Sequence, residues 1–421
     1  MTVKKRKKTL SFIDLFAGAG GLSEGFIRAG FKPVAHIEMD KDCCSTLKTR
    51  IAYRHLREIR KLSEYVKYLK GEISRDELYG QVPKDLFDTV LNEEINDANI
   101  NAIFNKVREN KKRLKINKID LIIGGPPCQV YSNIGRSVIG DNRIKRDKRY
   151  YLYQNYGDFI KEFKPRFFVF ENVPGILTAD KGKLFVDIQE YLTECGYTMK
   201  WKMLDASKFG VLQKRKRIIM FGYPIGKHFE YPEFEEIKMN FKISDILYDL
   251  PSLKAGESRK WTEYVKEANE YLYQAEIRNG LEVLPQHITR THNDNDLKIY
   301  EKTISTWNIK KVRLKYTDLP KKMQTHKNDK SFLDRFKVVD QNGYSHTMLA
   351  HIAKDGHYYI HPDINQVRSI SIREAARIQS FPDDYYFEGS RTATFKQIGN
   401  AVPLLMAQVI AKEIKKKINS I

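Results

Sequence analysis

Cysteine is scarce in this chain, and acidic residues fall short of basic ones. Four cysteines occur in 421 residues (Cys43, Cys44, Cys128 and Cys195), with no Cys-x-x-Cys pair and no spacing that builds a disulfide framework. A disulfide scaffold and a cysteine-zinc module are therefore excluded, and a reducing compartment is expected. No apolar run reaches the ~18 residues of a membrane-spanning helix. The chain begins Met-Thr-Val and continues Lys4-Lys5-Arg6-Lys7-Lys8, without the apolar core of a secretory signal, so a cytoplasmic protein is expected. No internal repeat is evident. Asp and Glu total 53 against 74 Lys and Arg, a net charge of +21. An excess this large favours a polyanionic partner, most simply nucleic acid. What is present suffices for one large domain plus a smaller one, since 41% of the residues are hydrophobic.

The chain is organised around Gly124-Gly125-Pro126-Pro127-Cys128-Gln129, which follows the apolar run Ile119-Asp120-Leu121-Ile122-Ile123. Two glycines and two prolines end that strand abruptly, because neither continues a central ladder. The turn places a cysteine at a strand's C-terminal edge, where open parallel α/β sheets bind ligands. Upstream, the strand candidate Leu10 to Phe16 runs into Ala17-Gly18-Ala19-Gly20-Gly21-Leu22-Ser23 and then a helical pattern. Strand, glycine turn and helix form a nucleotide-cradling unit. A second strand, Pro33 to Ile37, delivers Glu38, where an acid can accept bonds from both ribose hydroxyls. NAD and S-adenosylmethionine both fit this geometry, and the Gly-x-Gly-Gly spacing tilts against NAD.

Residues 41–118 are charged and helix-like, a crossover helix plus an insertion within about 45–118, with Glu94 and Asp97 able to reach an adenine amino group. After Cys128 comes a glycine-flexed basic loop carrying Asn133, Arg136, Arg143, Lys145, Arg146, Lys148 and Arg149, read as a lid over a phosphate backbone. The buried strand Arg166 to Phe170 delivers Glu171-Asn172-Val173 at the same edge as Cys128. Gln213-Lys214-Arg215-Lys216-Arg217 leads into another strand, with Arg215 and Arg217 expected on one face. From Pro224 the regular alternation stops. Ser345 to Leu349 and His357 to Ile360 read as a hairpin with a glycine turn at Lys354-Asp355-Gly356, which explains the clustering of His346, His351, His357 and His361 without a metal. Arg373 to Ser380 reads as a helix stopped by Phe381-Pro382. Phe395 to Pro403 is expected to open the last helix.

Together these stretches resemble the DNA (cytosine-5)-methyltransferase family. Asp14 to Gly21 looks like its cofactor loop, Gly125 to Gln129 its nucleophile turn, and Glu171-Asn172-Val173 its catalytic-acid motif. Gln213-x-Arg215-x-Arg217 looks like its arginine motif, and Arg373 to Pro382 and Gln397 to Pro403 its two C-terminal motifs. Six motifs in order span the chain from Asp14 to about Ile410. The resemblance implies an α/β fold: a Rossmann-like, mostly parallel sheet with a smaller, irregular target-recognition domain. The expected division is 1–223 catalytic and cofactor-binding, 224–394 target recognition, and 395–421 a C-terminal helix returning to the large domain. It also implies S-adenosylmethionine as methyl donor and no metal. Phe16, Ala17, Gly18, Gly20, Gly21 and Leu22 would cradle the donor, Glu38 take its ribose, and Met39 pack on its adenine. Pro127, Leu152 (through the weaker Asp147-x-Arg149-x-x-Leu152), Asn400 and Val402 match further contact positions.

The chemistry explains these residue types. Carbon 5 of cytosine is a poor nucleophile until a thiolate adds to carbon 6 and makes the ring an enamine. Cys128 is the expected nucleophile, and Glu171, kept protonated by burial, the acid bonding ring nitrogen 3. Arg217, with Arg215 nearby, would orient base and acid. The base must leave the duplex to be reached. Gln129, Arg136, Arg143, Arg146 and Arg149 are the expected DNA contacts. Double-stranded DNA is the expected partner, with a cognate restriction endonuclease sharing the site without touching this chain, and a monomer is expected. The rivals are a cytosine-5 methyltransferase acting on transfer RNA and a non-catalytic DNA-binding protein of this fold. The first usually carries Cys-Phe-Thr before the arginine motif, which Asp205 to Leu212 lacks. Intact Cys128, Glu171, Arg215 and Arg217 argue against the second.

Overall fold

Short apolar runs form strands here because helices cover both of their faces. The computed structural model describes residues 9–127, 147–227, 229–237, 240–325, 330 and 333–419. Strands β1 (Ser11–Leu15), β2 (Lys32–Glu38), β3 (Val90–Asn92), β4 (Leu121–Gly124), β5 (Phe167–Asn172), β6 (Tyr197–Asp205) and β7 (Lys216–Pro224) form one sheet in the order β3-β2-β1-β4-β5-β7-β6. The first five are parallel, and β7 is antiparallel to both β5 and β6. Successive residues alternate between two cores. Ile13, Leu15, Ile122, Phe168 and Phe170 join one face, covered by helices Ile100–Arg113, Leu152–Phe163 and Lys183–Glu194. Phe12, Leu121, Ile123, Phe167 and Val169 join the other, covered by helices Gly21–Arg28 and Leu404–Asn419. The chain winds outward from β1 through β2 to β3, then returns to β4 on the other side of β1. The crevice at the C-terminal ends of β1 and β4 is thus the topological switch point, where such sheets bind ligands.

The stretch read as a helical insertion contains helices Lys41–Glu58, Leu62–Lys70, Arg75–Gly80 and Lys84–Phe87, and also β3, the sheet's far edge. Its apolar faces (Tyr53, Leu56, Tyr65, Leu69, Leu78, Val82) pack with Leu281 and Val283 from far along the chain. Beyond Pro224, strands β8 (Ser258–Thr262) and β9 (Leu284–Ile288) form a two-stranded ribbon. One core there runs from Ile243 through Tyr271, Met348 and Phe381 to Leu404, and it includes Ala19 of the glycine loop. A smaller one surrounds Tyr300, Tyr316 and Phe336.

Two local expectations are corrected. Ser345 to Leu349 and His357 to Ile360 do not pair as a hairpin: a 3-10 turn, Ala350–Ala353, lies between them, and Ile360 bridges Val338 and Ser369 instead. Met348, Ile352 and Tyr359 enter one core and Ile360 the other, which a flat ribbon could not satisfy. Likewise Phe395 does not open the last helix. It lies inside Arg391–Asn400, which Ser390 caps by accepting from Ala393 N, and a new helix starts at Leu404 after Pro403.

Three of the histidines are held by protein groups. His346 Nε2 meets the Tyr358 carbonyl, His357 Nδ1 the Tyr300 hydroxyl at 2.7 Å, and His287 bonds Ser371 and the Pro251 carbonyl. Burial pushes His287 and His346 down to about 4 and His361 to about 3. In the unfolded chain these groups bind protons near pH 6.5. The unfolded state therefore takes up more protons between about pH 6.5 and 4, and stability falls as pH falls through that window, by roughly 2 kcal/mol per group at pH 5. Thermal melts between pH 7.5 and 5 should show Tm dropping steadily; a flat Tm would contradict neutral burial.

Candidate active site

Strand register gathers the chemistry at one edge. Leu15 pairs with Gly124, and Gly124 with Phe170, so the glycine loop, the Pro-Pro turn and Glu171 leave the sheet side by side. The two glycines are required by how closely these strands approach. A Cβ on Gly124, whose φ is 148°, would stand 2.2 Å from the Leu15 carbonyl oxygen. A Cβ on Gly125 would stand 2.4 Å from the Glu171 carbonyl oxygen and 2.7 Å from its Oε2. Asn172, which the sequence reading gave no task, donates from Nδ2 to the Pro126 carbonyl at 3.2 Å and ties the turn to β5. Pro127 is half-buried and is the last described residue before Cys128. Cys128, Gln129, Arg136, Arg143 and Arg146, and most of the loop read as a lid, lie outside the described residues.

Glu171 forms an ion pair with Arg217, Nε to Oε1 at 2.6 Å, with the carboxylate side chain 15% and the arginine 8% exposed. The pairing follows from the antiparallel β5–β7 ladder, in which Asn172 faces Ile218 and Glu171 faces Ile219. Arg215 is placed differently. It is fully buried, and its guanidinium donates to the carbonyls of Met348, Gly399 (3.2 Å) and Ala401 (2.9 Å). It braces the segment around Asn400 and Val402 rather than the Glu171 carboxylate. Gln213 does similar work, accepting from Met348 N at 2.7 Å and donating to Gln379 Oε1 at 2.9 Å.

On the other side of β4, the loop from Phe16 is sewn to β2 by Ala17 N donating to the Ile37 carbonyl at 3.1 Å. Glu38 closes it: Oε2 accepts from Gly18 N at 2.7 Å and Oε1 from Asp40 N at 2.8 Å. Burial pushes the Glu38 carboxyl up, opposed by these two amide donors. Met39, next in the chain, is 61% exposed, a thioether offered to solvent or to a planar ring. Gly21 packs against Val402, whose carbonyl oxygen would lie 2.5 Å from a Cβ there. Leu22 and Val402 are buried, while Asn400 is exposed at the end of its helix. Leu152 starts helix Leu152–Phe163. Asp147 caps the turn before it, and the Arg149 guanidinium, which is bonded to that carboxylate, holds it low. Of the two acids near β3, Asp97 accepts from Asn155 Nδ2 at 2.9 Å, and Glu94 is exposed. Among the described residues no group of three or more His, Cys, Asp or Glu could hold a metal ion.

The family model for the C-5 cytosine-specific DNA methylase matches residues 10–83 and 92–416. The chain belongs to the C-5 cytosine-specific DNA methylase family. This methylase transfers a methyl group to carbon 5 of cytosine in DNA, and its family implies S-adenosylmethionine as the donor. It is 42% identical to the type II methyltransferase M.Bpa9945I of Bacillus paralicheniformis, over 97% of this chain and 99% of that one. It is 29% identical to the type II methyltransferase M1.HphI of Haemophilus parahaemolyticus, over 97% and 87%. In fold it resembles a solved E. coli prophage protein described as a candidate DNA modification methyltransferase, with a TM-score of 0.63 and 23% identity, covering 98% of this chain and all of that one. No helix among the methylase's described residues is long and apolar enough to cross a membrane.

Proposed function

We propose that this methylase modifies one cytosine in a specific duplex sequence, as the protective member of a type II restriction-modification system. The observation that carries the site assignment is the Glu171–Arg217 pair, packed against Gly125 of the turn that leads into Cys128. The role is supported by the likeness to M.Bpa9945I along nearly the whole chain. Residues beyond Pro224 are proposed to read the recognition sequence, and the final helix to belong with the catalytic domain. The enzyme is proposed to act as a monomer, and its cognate endonuclease to share only the DNA site.

Each residue has a task that fits its position. The glycine loop lies at the switch-point crevice, and Glu38, held by two amides, has its carboxylate there for ribose hydroxyls. Met39 supplies an exposed soft surface for an adenine face. These residues fit S-adenosylmethionine, which when bound supplies an electrophilic methyl on a sulfonium. Cys128 adds to carbon 6 of the extruded cytosine, and the ring electrons move toward carbon 5. Glu171, fixed by Arg217, bonds ring nitrogen 3 and the exocyclic amine, so that charge gathering on the ring meets a prearranged partner. Removal of the carbon 5 proton restores the ring double bond and expels the Cys128 thiolate. The net charge of +21 supplies phosphate contacts and a steep fall of affinity with salt.

Bisulfite sequencing of DNA from cells expressing the protein tests target and activity together: one cytosine should be protected at a single recurring sequence. A 5-fluorocytosine duplex of that sequence should form a covalent adduct only when the donor is added. Trapping with transfer RNA but not with DNA would overturn the substrate assignment.

A further inference from the structure

The cofactor loop is gripped from behind by a segment more than 360 residues away. Tyr385 is fully buried, and its hydroxyl donates to the carbonyl of Ala19, in the middle of the glycine loop, at 2.5 Å. The fit is close on the next residue too: a Cβ on Gly20 would stand 2.9 Å from the same hydroxyl. Tyr385 cannot swing away. Its own carbonyl accepts from Arg373 Nη2 at 3.1 Å, and the Arg50 guanidinium lies 4.8 Å from its ring centre. Arg50 completes the clamp by pairing at 2.8 Å with Glu24, on the helix that follows the loop, and at 2.8 Å with Asp384, beside Tyr385.

We propose that Tyr385 is a positioning residue for the methyl donor: its hydroxyl, bonded to the Ala19 carbonyl, sets the backbone course of the glycine loop and thereby donor affinity. The physical reason is local. The bond to the Ala19 carbonyl is buried, and without a hydroxyl to donate to it that oxygen must turn toward water or stay unsatisfied. Turning rotates the peptide planes of the loop, and an unsatisfied oxygen destabilises the loop's present course. The inference rests on the loop being the donor site.

Tyr385→Phe removes one oxygen and keeps the ring. KM for S-adenosylmethionine and Kd for S-adenosylhomocysteine should rise about 3- to 10-fold, the span expected from one lost buried hydrogen bond. The kcat at saturating donor and the Kd for duplex should stay within about twofold. Tyr65→Phe is the matched control, because its buried hydroxyl donates to the Asp384 carbonyl at 2.9 Å and does not touch the loop. It should lower Tm to a similar extent and leave donor KM unchanged. Titration calorimetry reads the folded fraction alone, through its stoichiometry, so poor folding of either variant does not obscure the result. Unchanged donor affinity in Tyr385→Phe, or an equal shift in both variants, would overturn the proposal. Glu38→Gln separates the two ideas: if it leaves donor affinity intact, the loop is not the donor site, whereas weakened binding there with none in Tyr385→Phe removes only the brace.

Discussion

Cys128→Ser is expected to lower methyl transfer by roughly four orders of magnitude or more while leaving duplex binding within a few fold. A serine hydroxyl is far harder to ionise than a thiol, and its alkoxide is unavailable near neutral pH, so addition to carbon 6 fails. Among the described residues no side chain of the site is placed to replace it. Glu171 is already engaged with Arg217, and the described cysteines are poor substitutes. Cys43 and Cys44 are buried, and burial pushes both thiols up, Cys44 to about 12. Transfer of tritiated methyl groups to duplex, with filter binding in parallel, distinguishes loss of chemistry from loss of substrate. Near-normal transfer by the serine variant would end the covalent mechanism.

Gly125→Ala should also damage the enzyme, without touching a reacting atom. The new methyl would sit 2.4 Å from the Glu171 carbonyl oxygen and 2.7 Å from its carboxylate, and the first of these is backbone in the middle of the sheet. Either β4 and β5 spread or the Glu171 side chain leaves Arg217. Overpacking of this kind costs about 1–3 kcal/mol of stability. The larger loss falls on kcat, roughly 100-fold or more, since small misplacements of a catalytic group are costly. Gly80→Ala is the natural comparison. It lies at the end of helix Arg75–Gly80 with nothing within 4 Å of an added Cβ, and it should be neutral in both stability and kcat. If Gly125→Ala retained full activity, the close packing of turn against acid would be irrelevant to the reaction.

How far the sequence could be read depended on which groups the partners present. Strands β1, β2, β4, β5 and β7 are largely buried on both faces, and they stand out as apolar runs with a glycine, acid or proline at or close to their ends. Strand β3 is three residues, Val-Leu-Asn, in charged surroundings, too short for any periodicity to register. The family, its chemistry and the order of its motifs were legible because side chains carry them. Arg217 and Glu171 belong to this kind, two opposite charges brought together by adjacent strands. Arg215 does not. Its partners are carbonyl oxygens 133 to 186 residues away, and every residue has a carbonyl, so composition gives no hint of which ones it meets. The same holds for Tyr385 and Ala19, and for Asn172 and Pro126. Beyond Pro224 the chain divides its apolar residues between two cores, and the false hairpin arose because alternation there serves two burial sites rather than one sheet face.

Helix Leu404–Asn419, packed along helix Gly21–Arg28, has a consequence for biosynthesis. Ala407 seats against Gly25, just behind the glycine loop, while Val402 and Tyr385 contact the loop itself. A ribosome adding about 5–20 residues per second makes the loop first and these supports last, roughly 20 to 80 s later for 421 residues. Until then the nascent chain holds a loop without its backing, and a partly made enzyme should neither hold its donor nor mark DNA. The onset of modification activity is thus tied to synthesis of the stretch from Tyr385 to Ala407.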